Sequence, residues 1–249
     1  MSAFLEIEQK TMANHHHNSV DQEKRDQPGD LPIILDVLGE LWDPDEAAVQ
    51  RALMELANLC THGDHRRQNR KEITRIGGPL TVVKTMQRHP RSSSIQATGC
   101  RALANFAIYN EACTLIATVG GIDCVLEAMQ RFPSNGDIQE SGCGAMYNFT
   151  CRCHENRRLI VIANGIPAIL SAMQKQPGRA RLQDWACGAL ESLSQVNQKT
   201  KEKIIKLGGV VLIAKAAQEH MNDCHTKEAA CEAMAALLPP RNDPSVQHR

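Results

Sequence analysis

Two cysteines and a histidine lie close together at Cys151, Cys153 and His154, and this is the one stretch whose residue types suggest metal binding. Tetrahedral zinc sites usually need two to four residues between paired cysteines and a second pair of ligands elsewhere. Here a single residue separates the two cysteines, and the comparable pair Cys60 and His62 lies about 90 residues earlier. The spacing disfavours zinc, so we expect neither a metal site nor a cofactor.

The sequence also lacks the motifs that mark common catalytic sites. It contains no Gly-x-Ser-x-Gly turn, no phosphate-binding loop and no His-Glu-x-x-His motif. Its glycines pair at turns between helical segments rather than in a loop that could hold a phosphate. The sequence therefore predicts a protein that is not an enzyme.

A repeated segment organises the rest of the chain. The range 138–148 reads Ile-Gln-Glu-Ser-Gly-Cys-Gly-Ala-Met-Tyr-Asn, and close relatives of it occupy 95–105 and 182–192. A weaker copy lies at 48–58, and the weakest lies at 226–236. Apolar or small residues recur at the spacing of three and four that lines one face of an α-helix. Each copy is therefore predicted to be a helix with one buried face.

Turn-forming residues divide the sequence between these copies into two further helices. A short first helix ends in a left-handed turn at Gly77-Gly78, Gly120-Gly121, Asn164-Gly165 and Gly208-Gly209. A second helix is followed by a proline that cannot continue it, at Pro44, Pro90, Pro133 and Pro177. The first helices are predicted near 68–76, 111–119, 156–163 and 199–207. The unit is therefore a short helix, a glycine turn, a second helix, a proline turn and a long third helix.

A unit that recurs every 43 to 47 residues must stack on its neighbours to bury its apolar face. No segment alternates apolar and polar residues over enough positions to predict a sheet, so the fold class is all-α. Ankyrin and tetratricopeptide periods of about 33 and 34 residues are too short, whereas about 40 to 47 is typical of armadillo and HEAT repeats.

From about residue 30 to 238 the chain resembles armadillo-repeat proteins. The resemblance rests on the glycine turn, the Ile-Gln or Leu-Gln opening of the third helix and the asparagine near its end. It implies a right-handed α-solenoid with a partial repeat at 30–61 and four full repeats at about 65–107, 108–150, 151–194 and 195–238. We expect 1–29 to be a disordered arm and 239–249 a loose tail.

The resemblance also implies a binding site. In armadillo proteins the third helices line a concave groove, and an asparagine on each holds the backbone of an extended peptide. Asn58, Asn105 and Asn148 match that position, while Ser192 and Ala236 replace it in the last two helices. An amide can both donate and accept a hydrogen bond, which suits it to a peptide unit. The alternative is that these asparagines cap or bond the following loop.

One feature of the family is missing. Nuclear-import adaptors carry a tryptophan one turn before the asparagine, where this chain has Met54, Arg101, Gly144, Gly188 and Glu232. The slots that hold lysine side chains are therefore absent, which argues against recognition of basic import signals.

Other residues are predicted to face the same groove. The predicted groove set is Asn58, Asn105, Asn148, Arg51, Arg101, Glu140, Trp185 and Ser192, and Glu232 should also be exposed. An aromatic residue such as Trp185 is a typical binding hot spot. The alternative for Trp185 is half-buried packing between neighbouring repeats. On this reading the chain is a scaffold that binds a protein or peptide, and we expect a monomer.

The charge distribution offers a second functional class. The formal net charge is zero, yet nine basic residues and only two acidic ones lie between Cys60 and Arg101. The basic patch on the first helix of repeat 1 comprises Arg66, Arg67, Arg70, Lys71 and Arg75. Such a patch could attract nucleic acid or an anionic membrane. The alternative is a solvated outer face, because these residues lie away from the groove.

The cysteines and the N-terminal residues allow a prediction of the cellular compartment. Cys100, Cys143, Cys187 and Cys231 recur 43 or 44 residues apart, so they are predicted to be reduced core residues rather than disulfide partners. The N-terminal residues lack the basic and apolar regions of a secretory signal. No apolar window reaches the ~18 residues of a membrane span. We therefore expect a cytoplasmic protein, with the nucleus as the alternative.

Overall fold

The computed structural model describes residues 30–108, 110–151 and 153–238. Within these ranges it contains fourteen α-helices and no strand, as the helical periodicity predicts. The predicted arm at 1–29 and tail at 239–249 lie outside the described residues. In chain order the helices are α1 Leu31–Glu40, α2 Glu46–Leu59, α3 Arg66–Arg75, α4 Gly78–Arg88, α5 Ser93–Phe106, α6 Asn110–Thr118, α7 Gly121–Arg131, α8 Gly136–Cys151, α9 His154–Ile162, α10 Gly165–Lys175, α11 Ala180–Ser194, α12 Gln198–Lys206, α13 Gly209–Glu219 and α14 Cys224–Leu237.

The helices form one partial and four full repeats in the predicted order of short first, second and long third helix. The first helices, α3, α6, α9 and α12, begin one or two residues earlier than the sequence pattern predicts. Each is joined to the second helix by a residue with positive φ, at Gly77, Gly120, Asn164 and Gly208. The glycine that follows is also constrained, because a Cβ on Gly121 would lie 2.4 Å from the Ile116 side chain. The Gly-Gly turn therefore serves both the backbone reversal and the tight packing of the first helix on the second.

A buried glutamine fixes the start of the third helix in three repeats. In repeat 2 the Gln139 amide donates to the carbonyl oxygens of Met129 and Phe132, at 2.8 and 3.0 Å. Gln96 and Gln183 make the same pair of bonds in repeats 1 and 3. These carbonyls lie at the end of the second helix, where no amide of that helix can reach them. The glutamine in the Ile-Gln motif thus joins the second helix to the third.

The repeats stack in sequence order. Each third helix packs against the third helix of the next repeat, through α2, α5, α8, α11 and α14, and the second helices α4, α7, α10 and α13 form a parallel layer. The chain is therefore an all-α solenoid with one surface built from equivalent faces of the third helices.

The core is continuous along the stack and contains mostly aliphatic and small residues. Among the described residues, the aromatic side chains that are fully buried are Phe106 and Phe149, near the ends of α5 and α8. Cys100, Cys143 and Cys187 are buried as predicted, but the prediction for Cys231 is wrong because its side chain is exposed. Cys231 lies on α14, the last helix of the described ranges, and no other described helix covers that position.

No single helix in the described ranges is long and apolar enough to cross a membrane. One pair, Glu111–Thr118 with Gly121–Arg131, passes the same test of length and composition when taken together, although the two helices are bent by 70°.

Candidate functional site

The third helices hold a cavity of about 580 Å³ on their shared surface. Six of the eight residues in the predicted groove set line this central cavity, namely Asn58, Arg101, Asn105, Glu140, Asn148 and Trp185. They come from four successive helices, α2, α5, α8 and α11. Residues separated by 43 to 47 positions in sequence therefore meet at one surface because equivalent positions of stacked helices align.

The asparagines in this cavity bond neighbouring repeats to each other. The Asn105 side chain donates through Nδ2 to the carbonyl oxygen of Ala57, at 3.1 Å. The Asn148 side chain donates in the same way to Ala104, at 2.8 Å. Each amide thus binds a carbonyl of the preceding third helix rather than the loop that follows it. Asn58 is exposed and lines the same cavity from α2, in the partial repeat where the described residues begin.

Asn105 and Asn148 each use only part of the hydrogen-bonding capacity of the side-chain amide. Within the described residues, the side chains of Asn105 and Asn148 make no other hydrogen bond. One N–H and the Oδ1 acceptor of each amide therefore remain for another molecule. The internal bond also holds each amide in one orientation.

Two residues of the predicted groove set do not line the cavity. Ser192 is wrongly placed by the sequence pattern, because its side chain is only 4% exposed. It lies on α11, which packs against α14, and a side chain with one carbon before its hydroxyl does not extend past that contact. Arg51 is exposed on α2 but lies outside the cavity.

Trp185 is half-buried and lies between two repeats. A Cβ on Gly144 of the preceding repeat would lie 2.8 Å from the indole atom Cε3, so the ring occupies the space above that glycine. The guanidinium of Arg181 lies 4.7 Å from the ring centroid, within the range of a cation–π contact. Both alternatives drawn from the sequence therefore hold, because the ring packs between repeats and also lines the cavity.

Arginines of repeat 3 neutralise the acidic residues of this cavity. Arg179 contacts the carboxylates of Asp137 and Glu140, at 2.9 and 3.2 Å. The bond to Asp137 is the main cause that raises the pKa of Arg179 above its ordinary value. Arg181 also approaches Glu140, at 3.9 Å. Glu140 is thus engaged by two arginines, whereas Arg101 has no ion-pair partner in the described part of the chain.

The basic patch lies on α3, outside the central cavity. Three of its arginines bond to the chain itself. Arg66 donates to the carbonyl of Gly63, Arg70 donates to that of Cys60, and Arg75 pairs with Glu72 at 2.8 Å. Burial lowers the pKa of Arg70. Only Arg67 and Lys71 are exposed without such a bond among the described residues.

The cysteine and histidine cluster near the end of α8 has other contacts. The Tyr147 hydroxyl forms a side-chain hydrogen bond with Cys151, and Cys153 is the residue that precedes α9. Across the described ranges, no group of three or more histidine, cysteine, aspartate or glutamate residues is placed to hold a metal ion.

A second cavity of about 220 Å³ lies further along the same surface, on α8, α11 and α14. The repeat pattern did not predict this acidic cavity, whose larger lining residues are Tyr147, Asp184, Trp185, Glu191, His225, Glu228 and Glu232. Of these, only Trp185 and Glu232 were expected to be exposed. The sequence does contain a signal for this cavity. Asp184 and Glu191 are seven residues apart and Glu228 and Glu232 are four apart, so each pair of carboxylates lies on one face of its helix.

Comparisons with known proteins establish the fold. No protein-family model matches the chain, and no curated protein matches it either. Solved structures do match. An engineered protein superposes with a TM-score of 0.69 at 22% identity, over 82% of this chain and 78% of its own. A designed armadillo repeat protein in complex with the peptide (KR)4 gives 0.67 at 17% identity, over 81% and 80%. A second designed armadillo repeat protein gives 0.57 at 14%, over 82% and 99%. The armadillo-like solenoid expected from the sequence is confirmed.

Proposed function

We propose that this armadillo-like solenoid is a non-enzymatic scaffold that binds an extended polypeptide segment along the surface of its third helices. The observation that carries the proposal is the alignment of Asn58, Asn105 and Asn148 along the central cavity. A row of amides at regular spacing suits a ligand whose own donors and acceptors are regularly spaced, which is the backbone of an extended chain.

The internal hydrogen bonds of the asparagines support this role. Asn105 and Asn148 each use one N–H to bond the preceding third helix, which fixes the remaining N–H and Oδ1 in place before a ligand arrives. A donor and an acceptor that are already oriented cost less conformational entropy when the ligand binds. The same bond therefore serves both the stacking of repeats and the ligand.

Side chains beside the amides would select the sequence of the ligand. Arg101 offers an unpaired cation, and Trp185 offers a half-buried ring of the kind that often dominates binding energy. Glu140 contributes indirectly by holding Arg179 and Arg181. Arg51 would contact a ligand that extends past the cavity along α2.

The peptide complex of the designed armadillo repeat protein supports the proposed mode, since that protein shares the fold and is bound to a peptide. The identity of 17% transfers the fold and leaves the ligand sequence open.

The test uses a synthetic array of peptides of about 12 residues, the length that an extended chain needs to span five helices spaced by about 8–10 Å. Peptides that bind the wild type are then titrated against a variant carrying Asn105→Ala and Asn148→Ala. Losing contacts from two amides is expected to weaken binding by about tenfold or more.

A matched control separates binding from stability. Asn156 is buried on α9 and donates to the carbonyl of Cys113 in the preceding repeat, at 3.1 Å. Asn156→Ala therefore removes a comparable bond between repeats at a site that does not line the central cavity. Binding should survive this change. An unaltered affinity in the Asn105 and Asn148 double variant would refute the groove model.

The alternative is an electrostatic adaptor for nucleic acid or anionic lipid that uses the basic patch Arg66, Arg67, Arg70, Lys71 and Arg75. It has less support because three of these arginines bond to the chain itself. Reversal of Arg67 and Lys71 to glutamate should then abolish a steeply salt-dependent binding to duplex DNA or to vesicles that contain phosphatidylserine.

A further inference from the structure

The carboxylates of the acidic cavity form no ion pair among the described residues, although His225 lines the same cavity. In the described ranges, no lysine, arginine or histidine lies within ion-pair distance of Asp184, Glu191, Glu228 or Glu232. Glu191 accepts a hydrogen bond from the neutral amide of Gln195, at 2.7 Å. The acidic residues of the central cavity differ, because Arg179 neutralises Asp137 and Glu140.

Two groups that line the cavity have raised pKa values. Burial raises the pKa of Asp184 above its ordinary value, although His225 and Arg181 act in the opposite direction. The pKa of Tyr147 is raised to about 12, first by its hydrogen bond to Cys151 and further by the charges of Asp184 and Glu191. Both shifts disfavour additional negative charge in this cavity.

The chemistry of the walls favours an organic cation over a metal ion. No three of the metal-ligating residues in the described part of the chain converge on one point. The cavity instead combines carboxylates with two aromatic rings, Tyr147 and Trp185. Carboxylates pair with a guanidinium or ammonium group, and the Tyr147 ring adds an aromatic surface for the same cation, whereas Arg181 already covers the Trp185 ring. A single arginine or lysine side chain can use both.

The acidic cavity adjoins the central cavity. Trp185 lines both, and it therefore marks the boundary between them. On one side of this ring lies Arg101, the exposed cation without an ion-pair partner among the described residues, and on the other side lie the four unpaired carboxylates. The sign of the uncompensated charge thus changes along the third helices.

We infer that the surface of the third helices selects a segment of mixed charge, with an acidic side chain facing Arg101 and an arginine or lysine side chain in the acidic cavity. This inference rests on the proposed function. The two subsites are about 20–25 Å apart at 8–10 Å per helix, so roughly six to eight residues of extended chain separate the two side chains. A uniformly basic or uniformly acidic segment meets a like charge at one of the two sites.

The probes are four labelled synthetic peptides of equal length. One carries acidic residues followed by basic residues, one carries the reverse order, one is uniformly basic and one is uniformly acidic. Binding is followed by the anisotropy of the label and by the emission of Trp185 in a Trp42→Phe background, because the chain has two tryptophans. One of the two mixed orders should bind at least about tenfold more tightly than the other three peptides.

The variants assign the cation to the cavity. Glu228→Lys with Glu232→Lys reverses two exposed carboxylates on α14 and should weaken the preferred mixed peptide by about tenfold or more while strengthening the uniformly acidic one. The control is Asp123→Lys with Glu127→Lys, which makes the same charge change with the same spacing on exposed positions of α7, in the layer of second helices. The control should leave the ranking of the peptides unchanged.

The outcomes separate the inference from the proposed function. If peptides bind and the Asn105 and Asn148 double variant weakens them, yet the Glu228 and Glu232 reversal leaves the ranking intact, the inference is overturned and the proposed function stands. If none of the four peptides binds although the peptide array yields a ligand, the inference is overturned and the proposed function stands; an array without any ligand overturns both. Equal binding of the mixed and uniform peptides also overturns the inference.

Discussion

The indole ring of Trp185 occupies the space above Gly144 of the preceding repeat, where any larger residue would collide with it. A reciprocal contact lies one helical turn further along both helices, because the ring of Tyr147 approaches Gly188 so closely that a Cβ there would lie 2.6 Å from Cε2. Each of the helices α8 and α11 thus supplies one aromatic ring and one glycine to the same interface. Both rings line the acidic cavity.

Gly144→Ala should therefore destabilise the protein. The new methyl group must displace the Trp185 ring, and overpacking of this kind costs about 1–3 kcal/mol of unfolding free energy. Urea denaturation measures the loss, and Trp185 emission in the Trp42→Phe background should shift as the ring moves. Gly39→Ala is the control, since nothing lies within 4 Å of its Cβ and alanine is favoured in a helix by up to about 1 kcal/mol. Equal effects at the two glycines would contradict the packing described here.

Gln139→Ala should be costly although it removes a polar side chain. The change leaves the carbonyl oxygen of Met129 without its buried donor, while that of Phe132 keeps the backbone N–H of Asn135, and the expected loss is about 1–3 kcal/mol in the free energy of unfolding. Gln130→Ala on exposed α7 is the matched control and should lie within about 0.5 kcal/mol of the wild type. A Gln139 variant as stable as the Gln130 variant would refute the proposed join between second and third helices.

Thiol reactivity should fall into three classes. Cys224 and Cys231 are exposed and should react first with a maleimide, followed by the half-buried Cys151 and Cys153. The remaining six cysteines are buried, and burial raises the pKa of Cys60 and of Cys187 to about 12, so almost no thiolate forms at neutral pH. Mass spectrometry of the labelled protein identifies the order, and complete labelling should require denaturant. Early labelling of Cys187 would indicate that the stack of α11 and α14 opens in the native state.

Asp223 should make stability depend on pH at the start of α14. The backbone N–H of Thr226 donates to its carboxylate at 2.8 Å, and this bond is the main cause that lowers the pKa of Asp223. A lowered pKa in the folded state means that the contribution is fully present above the ordinary aspartate value of about 3.9 and is lost as the pH falls through the folded value. Asp223→Asn keeps the capping acceptor but does not titrate.

The measurement is the difference in unfolding free energy between wild type and Asp223→Asn as the pH is lowered. As the pH falls through the pKa of Asp223 in the folded protein, the unfolding free energy of the wild type should decrease relative to that of the asparagine variant. Parallel curves across the whole range would show that this carboxylate does not titrate with folding.

Much of the fold follows from the sequence because the determining interactions are local or periodic. Few residue types adopt the positive φ found at Gly77, Gly120, Asn164 and Gly208, so the turns can be predicted from the sequence without tertiary contacts. The periodic apolar face then identifies the third helices, and stacking is the arrangement that buries it.

The details of the candidate site are less predictable because they depend on which residues meet across repeats. Ser192 occupies the same repeat position as Asn148, yet the packing of α14 on α11 buries it. Cys231 shares the position of the buried Cys143, yet it is exposed on α14 because no other described helix packs over it. The acidic cavity is lined by residues of α8, α11 and α14, and these residues meet only because the three helices lie side by side in the stack.

Because the Trp185 ring packs on Gly144, this contact between repeats forms only when repeat 2 directly precedes repeat 3. The position equivalent to Gly144 in repeat 1 is Arg101, so excising repeat 2 in frame would place a long charged side chain beneath the indole. The units look alike in helix length and turn type, but the contact surface between repeats 2 and 3 is specific to its own two helices. Removing or reordering repeats at this junction would therefore cost packing although every unit has the same fold.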